Sequence, residues 1–386
     1  MEIAGTIIAS ALLFFAAYGL ILVLAGVSYQ RRKTPQKTLP TIKVLLPAYK
    51  PDQIFLEVLK SLKKAKKNYP IDVFILFQNA DRRIVDAANS FGFDQQEKVF
   101  DHLPGNSYRH ALQYLCAEHL DESTHEYTMI LDKDNIVDTS FFEALKTVPV
   151  SSYHVVQGAR KPLQTTEGVQ LFDAISEKYN DLMLRKGKIQ LGGILEVSGS
   201  AALIRTNLFK YAISSLDEQA PGYDKNFMVR LLSFPKKLNT TFVEEMKVYE
   251  EKTAEIENYK SQRLRWFGEQ YFNAIYNFRS LISNTFLKGK LRSIDYWLTL
   301  VRPPRSLQLL ATALFLGLDL LDGYPGFYAI PFILNLLSFG IVSFQVVKPG
   351  QLRQFLSGMV SVLVSNIFTS AVCLQKKYQN TFIHTR

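Results

Sequence analysis

Cysteine and histidine are scarce in this sequence. Its 386 residues include two cysteines and six histidines. Cys116 and Cys373 lie in separate apolar stretches, so they form neither a disulfide framework nor the paired spacing of a structural zinc site. The histidines show no metal-ligand spacing either. These absences argue against a disulfide-stabilised secreted domain and against a zinc protein, and they fit a reducing compartment.

Two other classes of protein lack their usual signals. The net charge is +10, from 45 Lys and Arg against 35 Asp and Glu, but the sequence has no basic helix or stacking module for nucleic acid. It also has no internal repeat and no paired hydrophobic repeats, which argues against a transporter. The positive charge instead fits a surface that faces anionic lipid.

Hydrophobic residues are abundant and unevenly distributed. They make up 47% of the sequence. Several stretches approach the roughly 20 residues that cross a bilayer, although one of them is short and carries Asp319. These stretches predict an integral membrane protein. They cover residues 3–27, 307–321, 327–347 and 355–374.

Charges around the first stretch predict its orientation. Arg31, Arg32 and Lys33 follow it, whereas only Glu2 precedes it. The positive-inside rule therefore places the N-terminus outside and the polar middle section in the cytosol. The apolar core of this stretch is too long for a cleaved secretory signal, so we expect an anchor.

The sequence thus divides into five parts. Four crossings would place the C-terminus outside, whereas Lys376, Lys377 and Arg386 favour the cytosol. Either one hydrophobic stretch is re-entrant or interfacial, or the charge rule fails here. The predicted parts are an anchor at 1–28, a cytosolic domain at 38–275, interfacial helices at 276–305, transmembrane helices at 306–375 and a tail at 376–386.

Apolar strand patterns alternate with helical patterns through the polar section. This alternation predicts an α/β domain with a mostly parallel sheet and helices on both faces. Ligands bind such sheets beyond the carboxyl ends of the strands, where Pro47, Asn79 and Asp132 fall. The proline is expected to stop the first strand. The predicted strands are 41–49, 71–77, 98–100, 127–131 and 155–158.

Two carboxylates directly follow one of these strands. Asp132 and Asp134 flank Lys133 after the apolar run 127–131. Mg²⁺ and similar ions are held by one or two carboxylates together with phosphate oxygens. We therefore expect Asp134 to be a direct metal ligand and Asp132 to contact a ribose, or the ion through water. For an isolated Asp-x-Asp, a solvated loop at the end of a strand is the alternative.

A second motif precedes the last hydrophobic stretches. Arg265 can offer a two-pronged guanidinium to a diphosphate, and Trp266 can offer a flat surface to a sugar. Gln262 lies about one helical turn before Trp266, so the two share a helix face. The alternative is a membrane-interface belt, where arginine and tryptophan are common.

These motifs, in this order, resemble the membrane-integrated glycosyltransferases of family 2, the group of hyaluronan, chitin and cellulose synthases and ceramide glucosyltransferase. The likeness runs from about residue 41 to residue 270. The residues that carry it are Pro47 and Tyr49 in the opening strand, Asp132-Lys133-Asp134, Gly199-Ser200 followed by Arg205, Gly222-Tyr223-Asp224, Gln262-Arg263-Leu264-Arg265-Trp266, and the tail from Thr381 to Arg386.

The resemblance implies a GT-A-like domain and a metal-dependent, inverting transfer. The sugar would pass from a nucleotide-diphosphate donor, UDP-linked by expectation, to a hydroxyl of a growing polysaccharide or glycan, with Mg²⁺ or Mn²⁺. A hydroxyl needs a general base, and Asp224 is the candidate, although it also fits a helix N-cap. The implied partners are the donor, a glycan or lipid acceptor, membrane lipids and subunits of a polysaccharide export system. The implied location is the bacterial inner membrane.

Two departures from the family pattern leave alternatives open. The Asp-Asp-Gly-Ser that follows the second strand in the family is absent, so recognition of the nucleoside rests on Asn79 or Asp81. Tyr223 stands where the family has Glu. A single transfer to a lipid acceptor is the close alternative, and a non-catalytic membrane subunit is a more distant one. Arg160 is expected at the surface or at the donor phosphate. Glu250 belongs to an acidic run that is expected to be a solvated edge, with the alternative that some of its members support the site from behind.

Overall fold

The computed structural model describes residues 2–36, 38–100, 107–217, 221–321, 328–373 and 375. The predicted tail, including the stretch from Thr381 to Arg386, lies outside these residues. Eight strands form within the described part of the chain. They are β1 (Ile42–Tyr49), β2 (Ile71–Gln78), β3 (Asp94–Glu97), β4 (Tyr127–Ile130), β5 (Ile136–Val137), β6 (Val155–Pro162), β7 (Ala202–Arg205) and β8 (Thr240–Glu250).

Helices cover the sheet and continue beyond it toward the C-terminus. A π-helical stretch, Asp181–Gly187, joins two of them. The helices are α1 (Glu2–Ser28), α2 (Gln53–Lys66), α3 (Arg82–Asn89), α4 (Ser107–His119), α5 (Phe141–Leu145), α6 (Gly168–Asn180), α7 (Lys188–Gln190), α8 (Thr206–Ser214), α9 (Tyr223–Ser233), α10 (Ile256–Tyr276), α11 (Phe278–Phe286), α12 (Leu291–Val301), α13 (Arg305–Leu321), α14 (Ala329–Phe344) and α15 (Leu352–Val372).

All eight strands belong to one mixed sheet with the order β3-β2-β1-β4-β7-β6-β8-β5. Strands β1 to β4 run parallel, as predicted, and β6 and β8 also pair in parallel. Strand β7 is antiparallel to both of its neighbours, and β5 is antiparallel to β8. Because β7 runs opposite to β4, the segment that precedes β7 lies beside the carboxyl end of β4.

Two details of the predicted strands are wrong. Strand β1 continues through Pro47, which is buried and pairs with Leu76, to Tyr49. Burial of the apolar run on both faces outweighs the loss of one ladder donor. Strand β3 is Asp94–Glu97 rather than 98–100, because the ladder with β2 ends there. Phe100 instead packs into the core below α4.

Side chains of β1 alternate between two hydrophobic clusters. Val44 and Leu46 pack on one face with α2 and α3. Leu45 faces the other side, where α4, α8 and α9 pack. Since both faces are covered, the polar groups of this sheet concentrate at the carboxyl ends of its strands.

Within the described residues, two helices are long and apolar enough to cross a membrane. They are Gly5–Ser28 in α1 and Leu352–Val372, which is α15. Helices α12 and α13 meet the same criterion only as a pair, with a bend of 66° between them. Helix α14 has 16 residues, fewer than the roughly 20 that a span needs. By length and composition the count is two or three, so the four predicted crossings stay a prediction.

Glycines bring the N-terminal helix into backbone contact with the α/β domain. A Cβ atom on Gly26 would overlap the carbonyl of Leu182, and one on Gly187 would overlap the carbonyl of Leu22. Only glycine permits this close approach between α1 and the π-helical stretch. The N-terminal helix is therefore packed against the domain along its last turns and is more than a tether.

Candidate active site at the carboxyl edge of the sheet

Strand β4 delivers the Asp-x-Asp motif to the centre of the sheet edge. Asp132 and Asp134 follow its end and are both half-buried. Buried Asn135 organises the turn: its Oδ1 accepts from Asp132 N at 3.4 Å, and its Nδ2 donates to Asp134 Oδ1 at 3.2 Å. Lys133 points the other way, and its Nζ donates to Lys50 O at 2.9 Å. The loop is thus held in place on both sides.

Two tyrosines connect Asp132 to the neighbourhood of Asp224. Tyr108 Oη donates to Asp132 Oδ1 at 3.0 Å. The rings of Tyr108 and Tyr223 have their centroids 4.9 Å apart, and the Tyr223 hydroxyl donates to Gly199 O. Tyr223, which replaces the glutamate of the family, therefore links three motifs that are far apart in the sequence.

Gly199 needs to be glycine at this position. Its φ is +81°, and a Cβ atom would lie 3.1 Å from Tyr223 Oη. The next residue, Ser200, is fully buried beside Asp132. The structure therefore places the predicted pair Gly199 and Ser200 against the Asp-x-Asp turn, as the antiparallel start of β7 requires.

Negative charge is in excess at this edge. Burial and the charges of Asp132 and Glu250 raise the pKa of Asp134 to about 7. Burial also raises the pKa of Asp132, although Arg160 acts in the opposite direction. Carboxylates that repel one another in this way suit a divalent cation.

The carboxylates at this edge can hold such an ion only if substrate phosphates or water supply the remaining oxygen ligands. Among the described residues, no group of three or more His, Cys, Asp or Glu side chains is placed to hold a metal alone. Asp132 and Asp134 offer carboxylate oxygens, and Mg²⁺ commonly completes its shell with water and substrate phosphates.

The solvated edge expected for Glu250 is wrong, and Arg160 is half-buried in an ion pair rather than at the open surface. The alternative of a contact between Arg160 and the donor phosphate stays a prediction. Glu250 is 4% exposed, and its Oε2 accepts from Arg160 Nε at 2.8 Å and from Arg160 Nη2 at 2.6 Å. Arg160 Nη1 also donates to Ser198 O at 2.9 Å. The parallel pairing of β6 with β8 brings the two residues together. Local sequence gives no signal of a contact between residues 90 positions apart.

A chain of buried ion pairs leads from this edge to α10. Glu250 pairs with Lys252, and Lys252 Nζ lies 3.6 Å from Asp173 Oδ2. Asp173 also accepts from Arg263, whose guanidinium lies 4.4 Å from the centre of the Trp266 ring. The Asp-x-Asp turn and the Gln-x-x-Arg-Trp helix are therefore on the same side of the domain and joined through charged contacts.

A cavity of about 300 Å³ opens beside these contacts. Asp224, Arg263 and Trp266 line it, and Trp266 is half-buried. Gln262 lies on the same helix with a buried Oε1 that has no hydrogen-bond partner among the described residues. Arg265 lies on the same helix, with its Nη1 3.8 Å from Glu269 Oε1.

Asp224 occupies the first turn of α9. Burial opposes its charge, but Lys225 at 2.7 Å and the charge of Arg265 lower its pKa on balance. Asp224 is therefore ionised at neutral pH, which is the form that accepts a proton.

Glu269 is a titratable neighbour that the sequence analysis missed. It is buried, and burial together with the charge of Asp224 raises its pKa to about 7, against the effect of Arg265. It lies four residues after Arg265 and therefore on the same face of α10. That spacing is the signal from which it could have been found.

The remaining predicted donor residues lie at the ends of β1 and β2. Tyr49 pairs with Gln78, and Asn79 follows with a left-handed φ of +49°. Asp81 is exposed and caps α3, since its Oδ1 accepts from Arg83 N at 2.9 Å. Hydrogen bonds from Arg83 lower the pKa of Asp81. These residues share the sheet edge with Asp132 but have their own local partners.

Comparison with known proteins identifies the family to which the chain belongs. A family model described as "Glycosyltransferase like family 2" matches residues 40–269. No curated protein matches the chain.

Three solved structures are similar to this chain at low sequence identity, and the comparison of folds rests on the first of them. The mannosyltransferase PcManGT from Pyrobaculum calidifontis, in complex with GDP-Man and Mn²⁺, is 13% identical over 96% of this chain and 98% of its own, with a TM-score of 0.60. Staphylococcus aureus TarS 1–349 is 13% identical over 86% and 90%, with a TM-score of 0.41. Glucosyl-3-phosphoglycerate synthase from Mycobacterium tuberculosis with Mn²⁺ and UDP-Glc is 15% identical over 65% and 81%, with a TM-score of 0.42. The expected GT-A-like α/β fold is confirmed.

Proposed function

Because this chain belongs to glycosyltransferase family 2, we propose that it is a membrane-bound enzyme that transfers a sugar from a nucleoside-diphosphate sugar to a hydroxyl of a growing glycan. One observation carries the proposal. The contacts that run from Asp132 through Tyr108 to Tyr223, the neighbour of Asp224, support a single site that contains the metal motif and the expected base. A glycosyltransferase needs both functions within reach of one sugar.

Asp134 and Asp132 would hold Mg²⁺ or Mn²⁺ at the sheet edge. The excess of carboxylate charge there supports a divalent cation. When bound, the ion offsets the negative charge that develops on the departing diphosphate. The PcManGT complex with GDP-Man and Mn²⁺ supports this choice of ligands on the same fold. A UDP-linked sugar is the donor that we propose to test first, and a GDP-linked sugar the second.

Asp224 would accept the proton of the attacking hydroxyl. It is ionised, it lies at the start of a helix, and it opens into the cavity. Trp266 lines the same cavity and offers a face for an acceptor sugar. A single displacement from this side, opposite to the diphosphate, would invert the anomeric centre.

The membrane assignment belongs to the proposal. We assign residues 1–28 to an anchor, 38–275 to a cytosolic catalytic domain, 276–305 to interfacial helices and 306–375 to transmembrane helices, in a bacterial inner membrane. The apolar helices Gly5–Ser28 and Leu352–Val372 support it. So do Arg31, Arg32 and Lys33, which directly follow α1.

A single transfer to a lipid acceptor is the second candidate, and one observation favours it. The cavity that holds Asp224 continues between helices α13, α14 and α15. A polysaccharide and a lipid-linked product differ in length, so a product ladder on a gel would favour polymerisation and a single band would favour one transfer.

The test is release of nucleoside diphosphate from UDP- and GDP-sugars by the purified full chain, with membrane extract as the source of acceptor. We expect EDTA to abolish release and Mn²⁺ or Mg²⁺ to restore it. We expect Asp224→Asn to lower kcat by about 10²–10⁴-fold, since it removes a general base. Asp86→Asn, at an exposed position on α3, is the matched control. Full activity in metal-free buffer, or full activity of Asp224→Asn, would contradict the proposal.

A further inference from the structure

The cavity beside Asp224 is lined by more cationic than anionic side chains. Its acidic groups are Glu177, Glu196 and Asp224. The number of cations is twice as large, so the partners of each group decide whether charge remains to be balanced. The cationic side chains that line the cavity are Arg160, Arg185, Lys225, Arg263, Arg302 and Arg305.

Each acid in the cavity already has a cation of its own. Glu177 Oε1 lies 2.7 Å from Arg185 Nη1. Glu196 Oε1 lies 2.7 Å from Lys188 Nζ. Asp224 pairs with Lys225, as described above. These three acids are therefore committed to other cations.

Two of the cations pair with acids outside the cavity, Arg160 with Glu250 and Arg263 with Asp173. Arg302 and Arg305 differ from all the others. No carboxylate oxygen of the described residues lies within 4.0 Å of either guanidinium. Two positive charges thus remain without an acidic partner in one cavity.

Neutral groups hold both arginines in place. Arg302 Nη1 donates to Met183 Sδ at 2.6 Å, and thioether sulfur is a weak acceptor. Arg305 Nη2 donates to Asn180 Oδ1 at 2.9 Å. The Arg305 guanidinium carbon lies 4.2 Å from the centre of the Tyr179 ring. Arg305 Nη1 is buried and has no hydrogen-bond partner in the described part of the chain.

Burial separates Arg302, and in part the half-buried Arg305, from ordinary membrane-surface cations. Arg302 is 8% exposed, so it cannot extend into a layer of lipid headgroups. An ionised group that is buried without a partner of opposite charge destabilises the fold. Arginine is also the side chain that best matches a phosphate, because its donors can bind two oxygens at once. A phosphate in the cavity would remove the imbalance.

Apolar side chains continue the cavity away from the arginines. They come from α13, α14 and α15, the hydrophobic helices of the C-terminal part. A free nucleotide or an inorganic anion has no group that fits them, whereas a hydrocarbon chain does. These side chains are Leu309, Phe339, Met359, Val362 and Leu363.

We propose that Arg302 and Arg305 bind the phosphate of a lipid acceptor, whose hydrocarbon chain lies against α13, α14 and α15 and whose accepting hydroxyl faces Asp224. This inference rests on the second candidate for the proposed function, transfer to a lipid acceptor, because it identifies the acceptor of the same site. It assigns to the enzyme an anionic, phosphate-bearing lipid rather than a neutral glycan or a neutral lipid.

The test is binding of farnesyl phosphate, measured by tryptophan fluorescence of the full chain in detergent micelles. Trp266 lines the cavity and serves as the reporter, in a Trp297→Phe background that removes the only other tryptophan. We expect farnesyl phosphate to bind at least about 10-fold more tightly than farnesol, since charge-assisted hydrogen bonds are the stronger ones. Arg302→Gln and Arg305→Gln should each reduce that preference, and the double variant should abolish it.

Matched variants show whether a loss of preference is specific to the two arginines. Arg279→Gln, at an exposed position on α11, should keep the full preference. Arg302→Lys and Arg305→Lys keep the charge, so they should retain part of the preference, and thermal melting confirms that each variant is folded. A glutamine variant that is folded and still prefers farnesyl phosphate would overturn the proposal.

Further arms separate the possible sources of the phosphate. Inorganic phosphate that binds as tightly as farnesyl phosphate would show a site for a free anion and overturn the inference. If the glutamine variants lose affinity for UDP or GDP by as much as for farnesyl phosphate, the arginines belong to the donor, and the inference also fails. Binding is measured without turnover, so an inactive protein that binds farnesyl phosphate would refute the proposed function alone.

Discussion

The carboxyl edge of the sheet and the arginine side of the cavity carry opposite excesses of charge. At the edge, the carboxylates of Asp132, Asp134 and Glu250 have two cations nearby, Arg160 and Lys252, and Lys252 also faces Asp173. In the cavity, Arg302 has no carboxylate partner among the described residues. The edge has an excess of negative charge and the cavity has an excess of positive charge. The sign of each excess indicates the charge of the ligand that would neutralise it, a cation at the edge and an anion in the cavity.

The two regions also differ in how visible they are from the sequence. The edge carries the Asp-x-Asp motif directly after strand β4, and a motif of this kind can be recognised from the local sequence. The arginine pair has no motif, and it lies in a segment where basic residues are ordinary at a membrane surface. Unbalanced charge inside the fold is therefore an independent guide to a binding site.

The largest expected effect is that of Asp134→Ala, which tests whether the negatively charged edge holds a metal ion. If the edge holds a metal-bound diphosphate, this change should reduce release of nucleoside diphosphate at least about 100-fold, since metal neutralisation of charge is worth several kcal/mol. Melting temperature should stay the same or rise at pH 8, because a pKa raised to about 7 means that the ionised carboxylate is unfavourable in the folded protein.

Asp86→Ala, on the exposed face of α3, is the control for this change, and it should leave both activity and melting temperature near the wild-type values. A folded Asp134→Ala protein with normal activity would remove the metal site from the edge. A much lower melting temperature would show that Asp134 is a structural residue.

A smaller effect separates paired from unpaired arginines in the cavity wall. Arg263→Met leaves Asp173 with Lys252 alone and should reduce the free energy of unfolding by roughly 3 kcal/mol, since breaking a buried ion pair leaves an uncompensated charge. Arg302→Met removes a charge that has no acidic partner among the described residues. It should therefore reduce the free energy of unfolding much less than Arg263→Met does, or increase it. Chemical denaturation of the two variants measures both values. Equal losses would mean that Arg302 has an acidic partner in the folded chain.

The last prediction concerns the pH dependence of stability and Glu269. Burial and Asp224 raise its pKa from 4.5 to about 7. The folded state then holds a proton more tightly than the unfolded state, so wild-type stability falls as pH rises from about 4.5 to 7 and carries the full penalty above 7. Glu269→Gln removes this penalty. Melting curves of the two proteins should coincide near pH 4.5 and separate above pH 7, with glutamine the more stable. A constant offset across this range would show that Glu269 is ionised throughout.

Much of the fold follows from local patterns. Alternating strands and helices indicate the α/β domain, and the position of Asp132 after a buried strand places the motif at the sheet edge. Strand β1 was harder to delimit because Pro47 is an ordinary stop signal, and burial on both faces overrides it here. The end of β3 is likewise set by its partner strand and not by its own residues.

Contacts that depend on long-range pairing could not be predicted. Arg160 meets Glu250 only because β6 pairs with β8, and the sequence alone gives no indication of this contact. Arg302 follows α12 in a stretch that composition assigns to the membrane interface. Its burial results from packing against α10, where Gln270 Nε2 donates to Arg302 O at 3.0 Å. Such tertiary contacts have no local signature.

The backbone contact between α1 and the π-helical stretch has a consequence for substrate access. Gly26 and Gly187 let these two segments touch without a hinge, and α6, which carries Asp173, runs directly into the same stretch. The first helix and the catalytic domain are therefore joined by direct backbone packing. If α1 is the membrane anchor that we propose, this packing would hold the active site at a fixed height above the bilayer, so that the length of the acceptor would select which hydroxyl is glycosylated.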